Sequence, residues 1–199
     1  MRHVAAILFD NFETLDVFGP IEVFGRLKEH FTIGLYSQRG GVVTSSQDVP
    51  VVTRPLSEIG AGPIILLVPG GIGTRGLVKD AAFIDRLKTL AGKSEHVLTV
   101  CTGSILFSKT GLLDGRRATS NKRVFAWAPH ESPTVDWVKK ARWVRDGNTW
   151  TSSGISAGTD MALAFVAELL GRDIAKKTGD EMEYFWQEDP ERDPFAELY

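Results

Sequence analysis

The chain has 199 residues, 43% of them hydrophobic and 24% charged, which is enough apolar mass for one domain with a full core. A net charge of −2 without a basic block argues against nucleic acid as a partner. The single cysteine excludes an intramolecular disulfide and a multi-cysteine zinc site.

His3–Phe9 reads as an opening strand whose run from Val4 is apolar on both faces, as in a covered parallel sheet. Asp10 and Glu13 interrupt this apolar start, so it does not resemble a signal peptide, and no run is long enough to span a bilayer. A cytoplasmic protein without membrane contact is therefore expected. Leu15 to Pro20 leads into a predicted helix over Ile21–Leu27, and Phe31–Tyr36 is the next strand. Gly40-Gly41 marks a turn, with short excursion strands within Val42–Val52. Pro63–Val68 is a third buried strand ending at Pro69-Gly70-Gly71, and Asp80–Leu90 is an amphipathic helix.

Val97–Val100 is a short strand that stops at Cys101. Thr102-Gly103-Ser104 then opens an apolar run, Ile105-Leu106-Phe107, whose helical spacing ends at Gly111. The thiol is thus placed at a strand-to-helix corner, over the first amides of a helix. Such a position favours a thiolate and can lower a cysteine pKa, and the same amides can hold an oxyanion. The competing reading is a small buried structural residue.

Arg116–Thr119 is strand-like and Ser120–Pro129 irregular or briefly helical. Asp146-Gly147 is a tight-turn pair closing a hairpin between Ala141–Arg145 and Thr149–Thr151. Ser152 to Ser156 looks like a helix entrance whose hydroxyls cap amides, followed by a buried helix, Met161–Leu170, stopped by Gly171. Ile174–Trp186 is a last amphipathic helix, and the tail is expected to be loose until Phe195 and Leu198. Residues 1–199 form one domain without repeat or linker. Strands alternating with helices predict an α/β fold with a mostly parallel central sheet and helices on both faces. Ligands bind beyond the carboxyl ends of such strands, where Asp16, Gly71 and Cys101 would gather.

Taken singly, the other motifs are weak. By position alone Asp16 is better read as a helix cap than as a proton carrier. Gly71-Ile72-Gly73-Thr74-Arg75-Gly76 matches G-x-G-x-x-G, but it lies mid-chain and lacks the following acidic strand end of a dinucleotide fold. A turn offering the Gly71 amide to an oxyanion is the better reading. The four histidines show no metal-ligand spacing, and only His130 is a candidate general base. The five tryptophans are too scattered for base stacking and could line a pocket or a dimer contact. Neither a cofactor nor a metal is expected.

Three segments together resemble the ThiJ/PfpI superfamily: Leu15 to Phe24 (LDVFGPIEVF), Leu67 to Gly71 (LVPGG), and Cys101-Thr102-Gly103-Ser104 through Gly111 to Thr119. The resemblance implies a flavodoxin-like fold and is strongest to the branch holding isonitrile hydratases and the ligand-like domains of AraC-type regulators. It implies Cys101 as nucleophile at a strained elbow and Asp16 as the carboxylate facing the thiol, replacing the cap reading. It further implies the Gly71 and Thr102 amides as an oxyanion site, and a homodimer. The activity implied is hydration of a small-molecule isonitrile to an N-substituted formamide through a Cys101 thioimidate.

Many relatives carry a histidine after the Ala-Thr pair, where this chain has Ser120-Asn121-Lys122. Asn121 can hydrogen-bond but is no base near neutral pH, which weakens a Cys–His protease or deglycase reading. The alternatives are a redox sensor or protective protein oxidised at Cys101, a glyoxalase- or deglycase-like enzyme, and a ligand-binding effector module. The last is disfavoured because the chain stops at Tyr199, without a helix-turn-helix region.

Overall fold

In the computed structural model, which describes residues 1–199, β1 (Arg2–Ile7) lies at the middle of an eight-stranded sheet. The chain then forms α1 (Thr14–Arg26), β2 (Phe31–Ser37), β3 (Gly41–Thr44), β4 (Pro50–Pro55) and β5 (Ile64–Val68). Next come α2 (Thr74–Leu77), α3 (Ala81–Ala91), β6 (His96–Val100), α4 (Gly103–Ser108) and β7 (Arg117–Ala118). The remainder is α5 (Trp127–Glu131), β8 (Asp136–Trp137), β9 (Trp143–Asp146), β10 (Thr149–Ser152), α6 (Ala157–Leu170) and α7 (Arg172–Glu181).

The sheet order is β3-β4-β2-β1-β5-β6-β10-β9. Strands β2, β1, β5, β6 and β10 run parallel, and only the outer pairings β3 with β4 and β9 with β10 are antiparallel. Strand β5 is buried at every position, as its unbroken Ile-Ile-Leu-Leu-Val run requires of a central strand covered on both faces. One helix layer groups α1, α6 and α7; the other groups α2, α3, α4 and α5. The α/β architecture and mostly parallel sheet read from the sequence are present.

Several boundaries differ from expectation. Helix α1 begins at Thr14 rather than Ile21, with Pro20 inside it. Proline suggests a helix start, but its missing N–H costs one bond and the buried face of Val17, Pro20, Val23 and Phe24 outweighs that loss. Asp16 is therefore in the first turn of a helix rather than on a loop. The short helix α2 falls in the Gly-rich segment that carried no helical pattern. Helix α7 ends at Glu181, before the expected Trp186. The hydroxyls of Ser152 to Ser156 make no cap bond at α6; Ser156 Oγ instead accepts from Arg142 Nη2 at 3.3 Å.

The tail is not loose. Arg142 N donates to Pro190 O at 2.7 Å and Asp193 N to Lys140 O at 3.2 Å. The Asp193 side chain is fully buried, 3.7 Å from Lys122 Nζ and 3.8 Å from Arg142 Nη1. Arg142 in turn pairs with Asp160 at 2.6 Å, and Tyr184 and Gln187 donate to the other Asp160 oxygen. Four buried charges thus fasten the last residues to the loop around Asn121 and to α6.

Candidate active site

Cys101 follows the last residue of β6 and adopts φ 59, a left-handed conformation that costs a non-glycine residue on the order of 1–3 kcal/mol. Local hydrogen bonds hold it there. Its N–H lies 3.2 Å from Ser152 O and 3.3 Å from Ser153 O, and its carbonyl accepts from Ser104 Oγ at 2.9 Å and Ser120 Oγ at 3.0 Å. With both backbone groups fixed, the side chain projects from the corner between β6 and α4. It contributes to the wall of a cavity of about 300 Å³ that also includes Glu13, Gly71, Arg75, Asn121 and Trp127.

Three groups converge on the sulfur. Thr102 and Asp16 lie against it, the Thr102 N–H favouring charge on the sulfur and the Asp16 carboxylate opposing it. Asn121 Nδ2 is 3.2 Å away. Because Asn121 Oδ1 accepts from Arg123 N at 2.9 Å, the amide is oriented with its NH₂ towards the sulfur. Gly154 closes the remaining side: a Cβ there would lie 2.7 Å from Sγ, so only glycine fits against the thiol. Asn121, a departure from the relatives' histidine in sequence, is a direct contact of the sulfur in the structure.

Asp16 is completely buried. Its Oδ2 accepts the Gly70 N–H at 2.9 Å, while the buried Oδ1 has no hydrogen-bond partner. The helix N-cap is Glu13, so Asp16 is not a cap. Burial pushes the Asp16 carboxyl well above the usual carboxylate range, and the Gly70 N–H offsets only part of that. Burial also raises the Cys101 thiol, and the facing Asp16 carboxylate adds to the effect. This corrects the expectation of a lowered thiol pKa. The helix after Cys101 has only six residues, and its amides are outweighed by desolvation. Two anions in contact without solvent repel each other, so the pair carries at most one negative charge near neutral pH.

The Gly71 amide lies in the same corner, at φ 123, but it donates to Thr102 Oγ1 at 3.1 Å. Thr74 Oγ1 meets the same hydroxyl at 3.1 Å. The two amides expected to form an oxyanion site are therefore near each other, with one turned to the sulfur and the other to a hydroxyl. His130 is exposed at the end of α5, 3.7 Å from Glu131, and does not line the cavity. It cannot serve as the general base here. Of the tryptophans, Trp127 lines the cavity and carries the Arg75 guanidinium 4.5 Å above its ring. No cluster of His, Cys, Asp or Glu could hold a metal ion.

Residues 2–168 match the family described as DJ-1/PfpI. The chain is 35% identical over 185 residues to the isonitrile hydratase of Pseudomonas putida, covering 91% of this chain and 78% of that protein. It is 25% identical over 179 residues to the Parkinson disease protein 7 homolog of Danio rerio, covering 87% and 93% respectively. A ThiJ/PfpI family protein of Pseudomonas syringae superposes with a TM-score of 0.80 at 28% identity, covering 92% of this chain and 74% of that one.

Proposed function

This chain belongs to the DJ-1/PfpI family, and from that premise we propose that it is an isonitrile hydratase-like enzyme using Cys101 covalently. The observation that supports this reading most is the Cys101–Asp16 pair: a strained thiol touching a buried carboxyl whose second oxygen is unpartnered. The 35% identity to an isonitrile hydratase supplies the substrate class.

The reaction starts from the neutral Cys101 thiol and the Asp16 carboxylate, one negative charge between them, and Asp16 takes the thiol proton as the sulfur attacks. Sγ forms a bond to the terminal carbon of R–N≡C, and Asp16 gives its proton to that same carbon. The product is the thioimidate R–N=CH–S–Cys101 and an Asp16 carboxylate. Water then adds across C=N: Asp16 takes a proton from the water as its oxygen bonds to carbon, and returns it to nitrogen. In the resulting R–NH–CH(OH)–S adduct the hydroxyl proton passes to Asp16 as the C–S bond breaks. R–NH–CHO leaves, and Asp16 returns its proton to the sulfur, restoring the thiol and the carboxylate.

Asn121 Nδ2 and the Thr102 N–H stabilise the sulfur whenever it carries charge. The Gly71 amide, once Thr102 Oγ1 rotates away, receives the developing charge on oxygen during breakdown of the adduct. No cofactor takes part. The active form is expected to be a homodimer acting on a small molecule in the cytoplasm; no helix is long and apolar enough to cross a membrane.

The test is incubation with cyclohexyl isonitrile and detection of N-cyclohexylformamide. Product from the wild type and none from Cys101→Ala supports the reading. A peroxide-dependent mass gain at Cys101 with no turnover of any isonitrile would favour the redox-sensor alternative.

A further inference from the structure

A second cavity, of about 440 Å³, adjoins the first and shares Glu13, Asn121, Arg123 and Ile155 with it. Leu15, Ile155, Phe195 and Tyr199 all face the second cavity, and each is among the large apolar side chains left exposed, at 46%, 37%, 43% and 55%. Four exposed apolar side chains lining one cavity beside a reactive group call for an occupant.

Two of those side chains belong to the tail, and the tail is held in place from below. Asp193 sits buried against Lys122 and Arg142, and its Oδ1 also accepts from Phe195 N at 3.0 Å. Lys122 Nζ is tied to Ala141 O at 2.7 Å and Thr119 Oγ1 at 2.7 Å. Phe195 is therefore two residues from a fixed point, and Lys122 is next in sequence to the asparagine that touches the thiol. A loose terminus would leave no defined wall; this one is anchored where a wall is needed.

We propose that the C-terminal segment Pro190–Tyr199 forms an apolar subsite of the Cys101 site, in which Phe195 and Tyr199, together with Leu15 and Ile155, receive the organic group R of the substrate. The class favoured is a neutral isonitrile bearing a ring, benzyl or cyclohexyl, over a methyl or charged one. This deepens the isonitrile reading and rests on it for the identity of the reactive group, but not for the existence of the subsite.

The experiment has two arms. In the first, kcat/KM is measured for methyl, cyclohexyl and benzyl isonitrile with wild type, Phe195→Ala, Phe195→Leu and Tyr199→Ala. Leu198→Ala serves as a control in the same tail that does not line the cavity. The benzyl-to-methyl ratio is expected to fall about tenfold in Phe195→Ala, less in Phe195→Leu, and not in Leu198→Ala. Equal losses on all three substrates, or no ring preference in the wild type, would overturn the subsite.

The second arm needs no turnover. Cys101 is alkylated with iodoacetamide or N-benzyliodoacetamide, and the rate is followed by intact mass. The benzyl reagent is expected to react faster and saturably with the wild type, and Phe195→Ala to lose that advantage. That outcome without isonitrile hydration would keep the subsite and discard the hydratase reading. Equal reagent preferences in wild type and Phe195→Ala would discard the subsite.

Discussion

Two regions of this molecule bury charge, and they treat it in opposite ways. Around Asp160 and Asp193 each carboxylate meets a cation, and Tyr184, Gln187 and Phe195 supply further donors. Around Cys101 and Asp16 two acidic groups face each other with no cation against them. The first arrangement fixes the chain; the second stores an unfavourable interaction that a reacting carbon can relieve. The contrast separates a structural network from a chemical site using only partners and burial.

If the contrast is right, substitutions in the two regions should differ in kind. The largest effect is on turnover: Cys101→Ala is expected to leave no measurable formamide, a loss of about 10⁴-fold or more. Asp16→Asn should follow with a fall in kcat of roughly 10²–10⁴-fold. The same variant should unfold at a higher temperature at pH 8, by about 1 kcal/mol of stability, because it removes a buried charge without losing the Gly70 bond. The sign follows from the raised carboxyl: a folded state that holds its proton more tightly loses stability as pH rises from 3.8 through the folded value. A destabilised Asp16→Asn would erase the contrast.

On the other side, Arg142→Met should cost about 3–5 kcal/mol in urea unfolding, since it strands Asp160 and weakens the hold on Asp193. Asn121→Ala should lower kcat about tenfold and cost about 1 kcal/mol of stability, since it removes the Nδ2 contact to the sulfur and the cap that Oδ1 gives Arg123 N. A pH-dependent effect concerns Lys122, which burial lowers from 10.5 to about 8 despite its Asp193 partner. Between those values the unfolded chain holds a proton that the folded chain has released, so wild-type stability should gain with rising pH relative to Lys122→Met. A flat difference curve from pH 8 to 10.5 would remove Lys122 from the charged network.

Much of this is legible in the sequence. Short β-branched runs ending at Gly70-Gly71 and at Cys101 located the sheet edge where a ligand binds, and the L-D-x-x-G-P segment singled out Asp16. What local pattern could not supply was environment. The helix-terminus argument pointed to a lowered thiol pKa because it counts nearby amides. The burial that reverses it comes from α1, the Gly154 backbone and the Asn121 loop, all distant in sequence. Pro20 hid the start of α1 because propensity was read without the buried face it serves. The tail looked loose because the partners of Asp193 lie on other elements. Asn121 carried a signal, a changed residue at a known position, but its orientation depends on an Arg123 amide that no spacing reveals.

The account depends on carbon–sulfur bond formation at Cys101 followed by hydration, and oxygen labelling tests that most directly. Cyclohexyl isonitrile turned over in H₂¹⁸O should yield N-cyclohexylformamide carrying one ¹⁸O with the wild type and none of this product with Cys101→Ala. Formamide formed equally by Cys101→Ala, or no formamide from the wild type, would contradict it.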